Sequence, residues 1–120
     1  MALDLSSDRR MFRSLPRFIM RNHNTGEYAV KRFVIEREMP SVGTLAREQM
    51  RAAAEKSNSV LHQLGSDIQW VQSYVTQDKI YCIYLAKDEA LVRKHADISG
   101  FPANGISEVK RVIDPTTAVA

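Results

Sequence analysis

One stretch of the chain, residues 68–86 (IQWVQSYVTQDKIYCIYLA), restricts the possible folds more than any other. It contains two runs rich in β-branched and aromatic residues, separated by the polar tetrapeptide TQDK, which is typical of an antiparallel hairpin. A turn centred on Gln77 and Asp78 places Val75 opposite Ile80, and both faces of the hairpin are then largely apolar. A sheet with one face in water would instead alternate apolar and polar residues. Both faces of this hairpin therefore need cover.

The segments around the hairpin predict two helices and two further strands. Before the hairpin we expect a strand at 31–38, with Phe33 and Ile35 on one face and Val34 and Glu36 on the other, and then a helix capped by Thr44 that ends at Leu64. After the hairpin we expect a helix over 89–98 capped by Asp88, and then a strand at 106–114. The buried side of the second helix should carry Leu91, His95 and Ile98. This β-α-β-β-α-β order predicts an α+β protein with a ferredoxin-like antiparallel sheet that carries both helices on one face.

The second face of such a sheet stays open, and the hairpin pairing predicts which side chains it presents. The expected residues are Trp70, Tyr74, Tyr81, Ile83 and Leu85. A monomer that exposed so large an apolar patch would be unfavourable. Covering these side chains at about 25 cal/mol per Å² of apolar area could stabilise a dimer by several kcal/mol. We therefore expect the chain to bind a second copy of itself as a homodimeric α-β barrel.

Length, charge and cysteine content limit the remaining possibilities. A length of 120 residues predicts a single domain, which we place at 31–117. The interrupted pattern of residues 1–30 predicts a flexible extension, and residues 118–120 form a short tail. The formal charge of +3 is not gathered in a basic stripe, so we expect no nucleic-acid partner. No apolar run approaches the roughly 18 residues of a membrane span. The single cysteine, Cys82, fits a reducing compartment, and we expect a cytoplasmic protein.

Among the three histidines, His95 is the one whose helical spacing directs it inward. The simpler interpretation is a buried imidazole that hydrogen-bonds a backbone carbonyl. The alternative is that His95, together with Glu36 and water, holds a borderline divalent ion such as nickel, copper or zinc. No HxH, HxxxH or CxxC spacing supports a metal site independently.

From Val34 onward the sequence resembles a known family. The segments that carry the resemblance are VIERE (34–38), SDIQWVQSYVTQDKIYCIYLA (66–86) and KHADISGFPANGISEVKRVIDPTT (94–117). The run HA-x(3)-GFP-x(3)-ISEV is the most specific part. These segments are similar to a family of small bacterial proteins known mainly as a domain of unknown function, some members of which are described as nickel-binding. The resemblance implies a ferredoxin-like fold, a homodimer of the α-β-barrel type and, for some members, bound nickel.

Two hypotheses in which the protein binds a ligand follow from the residues and the resemblance, besides a third in which it is an interaction module without a pocket. The first is a small homodimeric protein that binds a metal such as nickel, performs no turnover and uses His95 and Glu36 as ligands. The second is a small-molecule-binding or enzymatic barrel of the same architecture. In the second, a cleft lined by Trp70, Tyr74 and Tyr81 holds an organic ligand, and His95 acts as acid or base.

Overall fold

A computed structural model describes residues 30–119, in which four strands and two α-helices alternate as the sequence predicts. The elements are β1 (Lys31–Glu38), α1 (Arg47–Leu64), β2 (Ile68–Val75), β3 (Lys79–Ala86), α2 (Glu89–Ser99) and β4 (Gly105–Glu108), with short 3-10 turns at Val42–Thr44 and Pro115–Val119. The predicted extension, apart from Val30, lies outside the described residues. Of the described helices, none is both long and apolar enough to cross a membrane.

The strands form one antiparallel sheet in the order β2-β3-β1-β4. At its centre β1 pairs with β3 along its whole length, from Lys31 opposite Ala86 to Glu38 opposite Lys79. The predicted ferredoxin-like α+β fold is therefore confirmed.

The core lies between the sheet and the two helices. Residues of alternating positions on β1 and β3 are buried there, and α2 contributes Val92. Phe33 and Ile35 are 2% and 0% exposed, whereas Val34 and Glu36 between and beside them are half-buried on the opposite face. This alternation follows from the period of two in a pleated strand, and it agrees with the prediction for the first strand.

The hairpin has the predicted turn, but a bulge changes one face assignment. Val75 pairs with Ile80 as expected, and the register then shifts between Trp70 and Gln72. A bulge places an extra residue on one strand and reverses the alternation beyond it. Trp70 consequently lies opposite Tyr84 and packs against the core. The prediction that Trp70 belongs to the open face was wrong for this reason.

The helix α1 begins later than the sequence predicted. Thr44 does not cap it, because its hydroxyl donates to the Ser41 carbonyl (2.7 Å) and closes the preceding 3-10 turn. The helix starts instead after Ala46, whose N–H donates to the Gln49 side chain (2.9 Å). The end at Leu64 is as predicted, and Gly65 follows with a positive φ of 89°.

The helix α2 is capped as predicted, since the Asp88 carboxylate accepts the Leu91 N–H at 2.9 Å. Its buried side differs in part from the prediction. The residues buried on it are Val92, His95, Ala96 and Ser99. They recur at three- and four-residue spacing, and Ile98 falls beside this stripe, where it is 44% exposed.

The last strand is shorter than predicted, because β4 ends at Glu108 rather than at Asp114. Its partner explains the difference. Phe33 of β1 pairs with Glu108, and one more backbone bond joins the Val109 N–H to the Arg32 carbonyl (2.7 Å). Since β1 begins at Lys31, the chain beyond this point has no strand residues left to pair with.

A close backbone contact attaches the first 3-10 turn to the hairpin loop. The Gly43 N–H donates to the Gln77 carbonyl at 2.9 Å. A Cβ on Gly43 would lie 2.7 Å from the Thr76 carbonyl oxygen and 2.8 Å from the Gln77 Cα, and both are backbone atoms that cannot rotate away.

We predict that Gly43→Ala destabilises the fold by about 1–3 kcal/mol, the usual cost of forcing an extra methyl group into a packed contact. Urea unfolding followed by circular dichroism measures the change. Gly105→Ala is the matched control, because its Cβ would meet only the Glu36 Cβ at 3.8 Å, an ordinary contact. The control should stay within about 0.5 kcal/mol of wild type. Equal midpoints for the two variants would contradict the prediction.

Candidate functional site

His95 lies in the interior, on the face of α2 that packs against the sheet, and is 0% exposed. Its Nε2 is 3.2 Å from the Ser57 hydroxyl and 3.4 Å from the Ser57 carbonyl oxygen. Its ring lies 5.2 Å from that of Tyr84, centroid to centroid. Nδ1 has no hydrogen-bond partner among the described residues. This geometry agrees with the simpler interpretation, a buried imidazole held by a backbone carbonyl.

The surroundings of His95 favour its neutral form. Burial lowers the pKa of the imidazole below its ordinary value of 6.5, and the nearby charge of Arg37 lowers it further, against the opposing effect of the Ser57 carbonyl. Burial likewise raises the pKa of the Tyr84 phenol, which the Ser57 hydroxyl approaches at 3.4 Å. The buried cluster of Ser57, Tyr84 and His95 is therefore uncharged at neutral pH.

Glu36 lies on the opposite face of the sheet. Its neighbours in the chain, Ile35 and Arg37, are both buried on the helix side, so its own side chain points to the open face. There its carboxylate accepts from the Lys79 ammonium, with Oε2 and Nζ 2.6 Å apart. The hydrogen bond and charge of Glu36 raise the pKa of Lys79. The carboxylate already has a cationic partner.

Two of the predicted tyrosines lie beside Glu36. Glu36 of β1 is directly opposite Tyr81 of β3, and Tyr81 is directly opposite Tyr74 of β2. The Tyr74 hydroxyl accepts a hydrogen bond from the Gln72 amide. Glu36, Tyr81 and Tyr74 thus form one row across three strands, which we call the open-face row.

The predicted site residues consequently divide into two groups. The open-face row holds Glu36, Tyr74 and Tyr81, whereas Trp70 and His95 lie on the helix side. Within one chain the structure does not bring His95 and Glu36 together, because the sheet lies between them. In residues 30–119, no cluster of three or more His, Cys, Asp or Glu side chains could hold a metal ion. The roles of all five residues as ligands remain predictions.

Sequence reasoning missed Arg37, which is 2% exposed. Its Nη1 donates to the Pro102 carbonyl at 2.7 Å, and its Nε approaches the Cys82 sulfur at 3.4 Å. The guanidinium carbon lies 5.6 Å from the centre of the Phe101 ring. The signal was present in the sequence, because Arg37 shares the inward alternation of Phe33 and Ile35 in the first strand.

Arg37 is also one of the residues that line a cavity of about 250 Å³ between α1 and the β2–β3 hairpin. The other lining residues are mostly apolar and include Val42, Leu45, Met50, Trp70, Val75 and Ile80. Leu45 and Val75 are 37% and 44% exposed, so the cavity reaches the surface beside them. Of the residues predicted for an organic ligand, only Trp70 lines this cavity.

Comparison with known families assigns the chain to one of them. The family model described as "Nickel responsive protein SCO4226-like" matches residues 33–109. The chain belongs to this family. The resemblance identified from the segments between Val34 and Thr117 is thereby confirmed.

A solved structure supports the fold of this family member. The crystal structure of SCO4226 from Streptomyces coelicolor A3(2) is similar to the chain with a TM-score of 0.59 and 18% sequence identity. The match covers 68% of this chain and 99% of that one. At this identity the likeness concerns the fold alone. A comparison with curated proteins gives no match.

We predict that wild-type stability decreases as the pH falls below 6.5, and that His95→Gln weakens this decrease. The folded protein resists protonation of His95, whereas the unfolded chain takes up the proton at the ordinary pKa of 6.5. The free energy of unfolding then decreases by at most about 1.4 kcal/mol for each unit by which the pH falls. Urea unfolding at pH values from 7.5 to about 5.5 measures it.

His62→Gln is the matched control, because His62 is exposed in the last turn of α1. It should keep the wild-type slope. A full wild-type slope in His95→Gln would show that other groups cause the pH dependence.

Proposed function

We propose that the protein is a small homodimeric nickel-binding protein that performs no turnover. The observation that carries the proposal is the match to the nickel-responsive family over residues 33–109. The arrangement of the open face adds support, because it places a carboxylate and two phenols in one row where a second copy would pack.

The apolar part of the open face is the reason to propose a dimer. Val34, Ile83 and Leu85 are half-buried on β1 and β3. Beyond them, on the edge strand β2, Tyr74 is 55% exposed. A second sheet packed against this surface would remove these side chains from water, and burying apolar area drives association. Without Trp70 the surface is smaller than the sequence predicted.

The metal ligands of a single described chain do not suffice for nickel. His95 is fully buried, and its Nε2 is occupied by Ser57. The open-face row offers only oxygen atoms, and Glu36 is its one carboxylate. In a two-fold dimer the same face of the second copy contributes another Glu36. We therefore propose Glu36 as a ligand from each copy and leave His95 out of the metal site.

The ion pair with Lys79 competes with metal binding in this proposal. A cation at Glu36 has to displace the Lys79 ammonium, which lies 2.6 Å from Oε2. Ni²⁺ carries two positive charges, whereas the ammonium carries one, so the ion would attract the Glu36 carboxylate more strongly and repel the displaced Lys79.

We predict opposite effects for two substitutions on nickel affinity, measured by calorimetric titration of the full chain. Glu36→Gln should weaken binding at least tenfold, because it removes the charged donor. Lys79→Met should strengthen binding several-fold, because it releases the same carboxylate from its competing partner.

His95→Gln is the control for a buried histidine outside the site and should bind nickel as wild type does. If His95→Gln abolished binding while Glu36→Gln left it unchanged, the assignment of Glu36 would fail. Absence of nickel binding by wild type would overturn the proposed function itself.

We predict that wild type sediments as a dimer of about 27 kDa, twice the chain mass of 13.6 kDa, and that Ile83→Glu shifts it to the monomer. The introduced carboxylate would be desolvated at the centre of the proposed interface. Val112→Glu is the control, because Val112 is 73% exposed outside the sheet. Analytical ultracentrifugation at micromolar concentration makes the measurement. A wild-type monomer would contradict the proposed dimer.

A further inference from the structure

The buried guanidinium of Arg37 lacks a counter-charge in the described part of the chain. None of the ion pairs formed by residues 30–119 includes it. Two of its nitrogens are engaged, one by the Pro102 carbonyl and one, at longer range, by the Cys82 sulfur. Its Nη2 is buried and has no hydrogen-bond partner among the described residues. A buried charge with an unused donor is unfavourable unless an anion completes it.

The cavity provides a place for that anion. Arg37 contributes to its wall, and about 250 Å³ is available beside it, the space of roughly eight water molecules at about 30 Å³ each. The Arg37 side chain is 2% exposed even though it lines the cavity, so an anion contacts the guanidinium only when neighbouring side chains move aside. Met39 and Met50 also line the cavity, and their flexible side chains can adjust around a bound molecule.

We infer that this cavity binds a small organic carboxylate with an apolar body, whose carboxylate pairs with Arg37. The planar guanidinium matches a carboxylate in geometry as well as charge, and the unused Nη2 supplies the donor for this group. The inference does not depend on nickel or on the dimer, because the cavity lies on the helix side of the sheet.

The walls of the cavity define the rest of the ligand. Val42, Leu45 and Ile80 offer no hydrogen-bonding side chain, and Trp70 uses its indole N–H for the Ser73 hydroxyl at 2.9 Å. A highly hydrated ion such as inorganic phosphate would lose its water against these walls without replacement. An aromatic or branched aliphatic acid of about ten non-hydrogen atoms gains from the same walls.

Trp70 reports on occupancy directly, since it lines the cavity and is the only tryptophan of the chain. The experiment is a fluorescence titration of the full-length protein with phenylacetate and with phenylacetamide, its neutral isostere. Phenylacetate should saturate the signal with a Kd of about 1 mM or below, which is ordinary for a ligand of this size. Phenylacetamide should bind at least tenfold more weakly.

Three variants locate the effect. Arg37→Met removes the charge, and the preference for the acid over the amide should disappear while the amide still binds. Ala53→Leu fills the cavity from α1, and both probes should lose affinity. Lys56→Met is the matched control, because the Lys56 ammonium also lies 5.6 Å from the Phe101 ring but Lys56 does not line the cavity. It should keep the wild-type preference.

Equal affinities of wild type for the acid and the amide would overturn the inference, as would the absence of saturation at about 10 mM phenylacetate. A preference for the acid that survived in Arg37→Met would also overturn it, because another group would then hold the carboxylate. Should Arg37→Met fail to fold, the comparison of acid and amide on wild type and on Ala53→Leu still decides.

Discussion

The pairing of β1 with β3 is the interaction on which the rest of the structure depends. The two strands match residue for residue over their full length, from Lys31 opposite Ala86 to Glu38 opposite Lys79. This regular pairing keeps a strict alternation of faces, because neighbouring residues of a pleated strand point in opposite directions. The core side chains therefore face the helices, and every second position faces away from them. This one constraint determines which apolar and which polar side chains lie on each face of the sheet.

The same constraint separates the candidate chemistry into two environments. Glu36 and Arg37 are adjacent in the chain, yet Glu36 pairs with Lys79 on the open face and Arg37 is buried among the Pro102 carbonyl, Cys82 and Phe101. This ion pair leaves more than a third of each side chain in water, where such pairs contribute little to stability, so its carboxylate remains available to another cation. The free-energy cost of a buried charge, in contrast, depends strongly on the groups that pair with it. The two neighbouring charges thus lie in different environments, one in contact with water and one beside the apolar cavity.

The sequence predicted what local patterns determine and missed what distant partners determine. The first strand, the Val75–Ile80 pair and the Asp88 cap depend on residues close in the chain, and they agree with the structure. The end of β4 depends on where β1 begins, which the sequence of β4 does not contain. The bulge beside Trp70 leaves no mark in the alternation of residues along the hairpin. Because the extra residue in that bulge reverses the alternation, Trp70 lies in the core and not on the predicted open face. Both candidate sites therefore differ in composition from the prediction.

The position of each strand in the sheet explains why a bulge occurs in β2 and not in β1. β2 is an edge strand with a partner on one side only, so an extra residue disturbs a single ladder, and Val71 is left 46% exposed there. β1 is held by β3 on one side and by β4 on the other. A slip of one residue in β1 would break two ladders and exchange the faces of Glu36 and Arg37, which would bury a carboxylate against the helices and expose the guanidinium. The opposite environments of these two neighbouring charges are therefore fixed by the strand least able to shift.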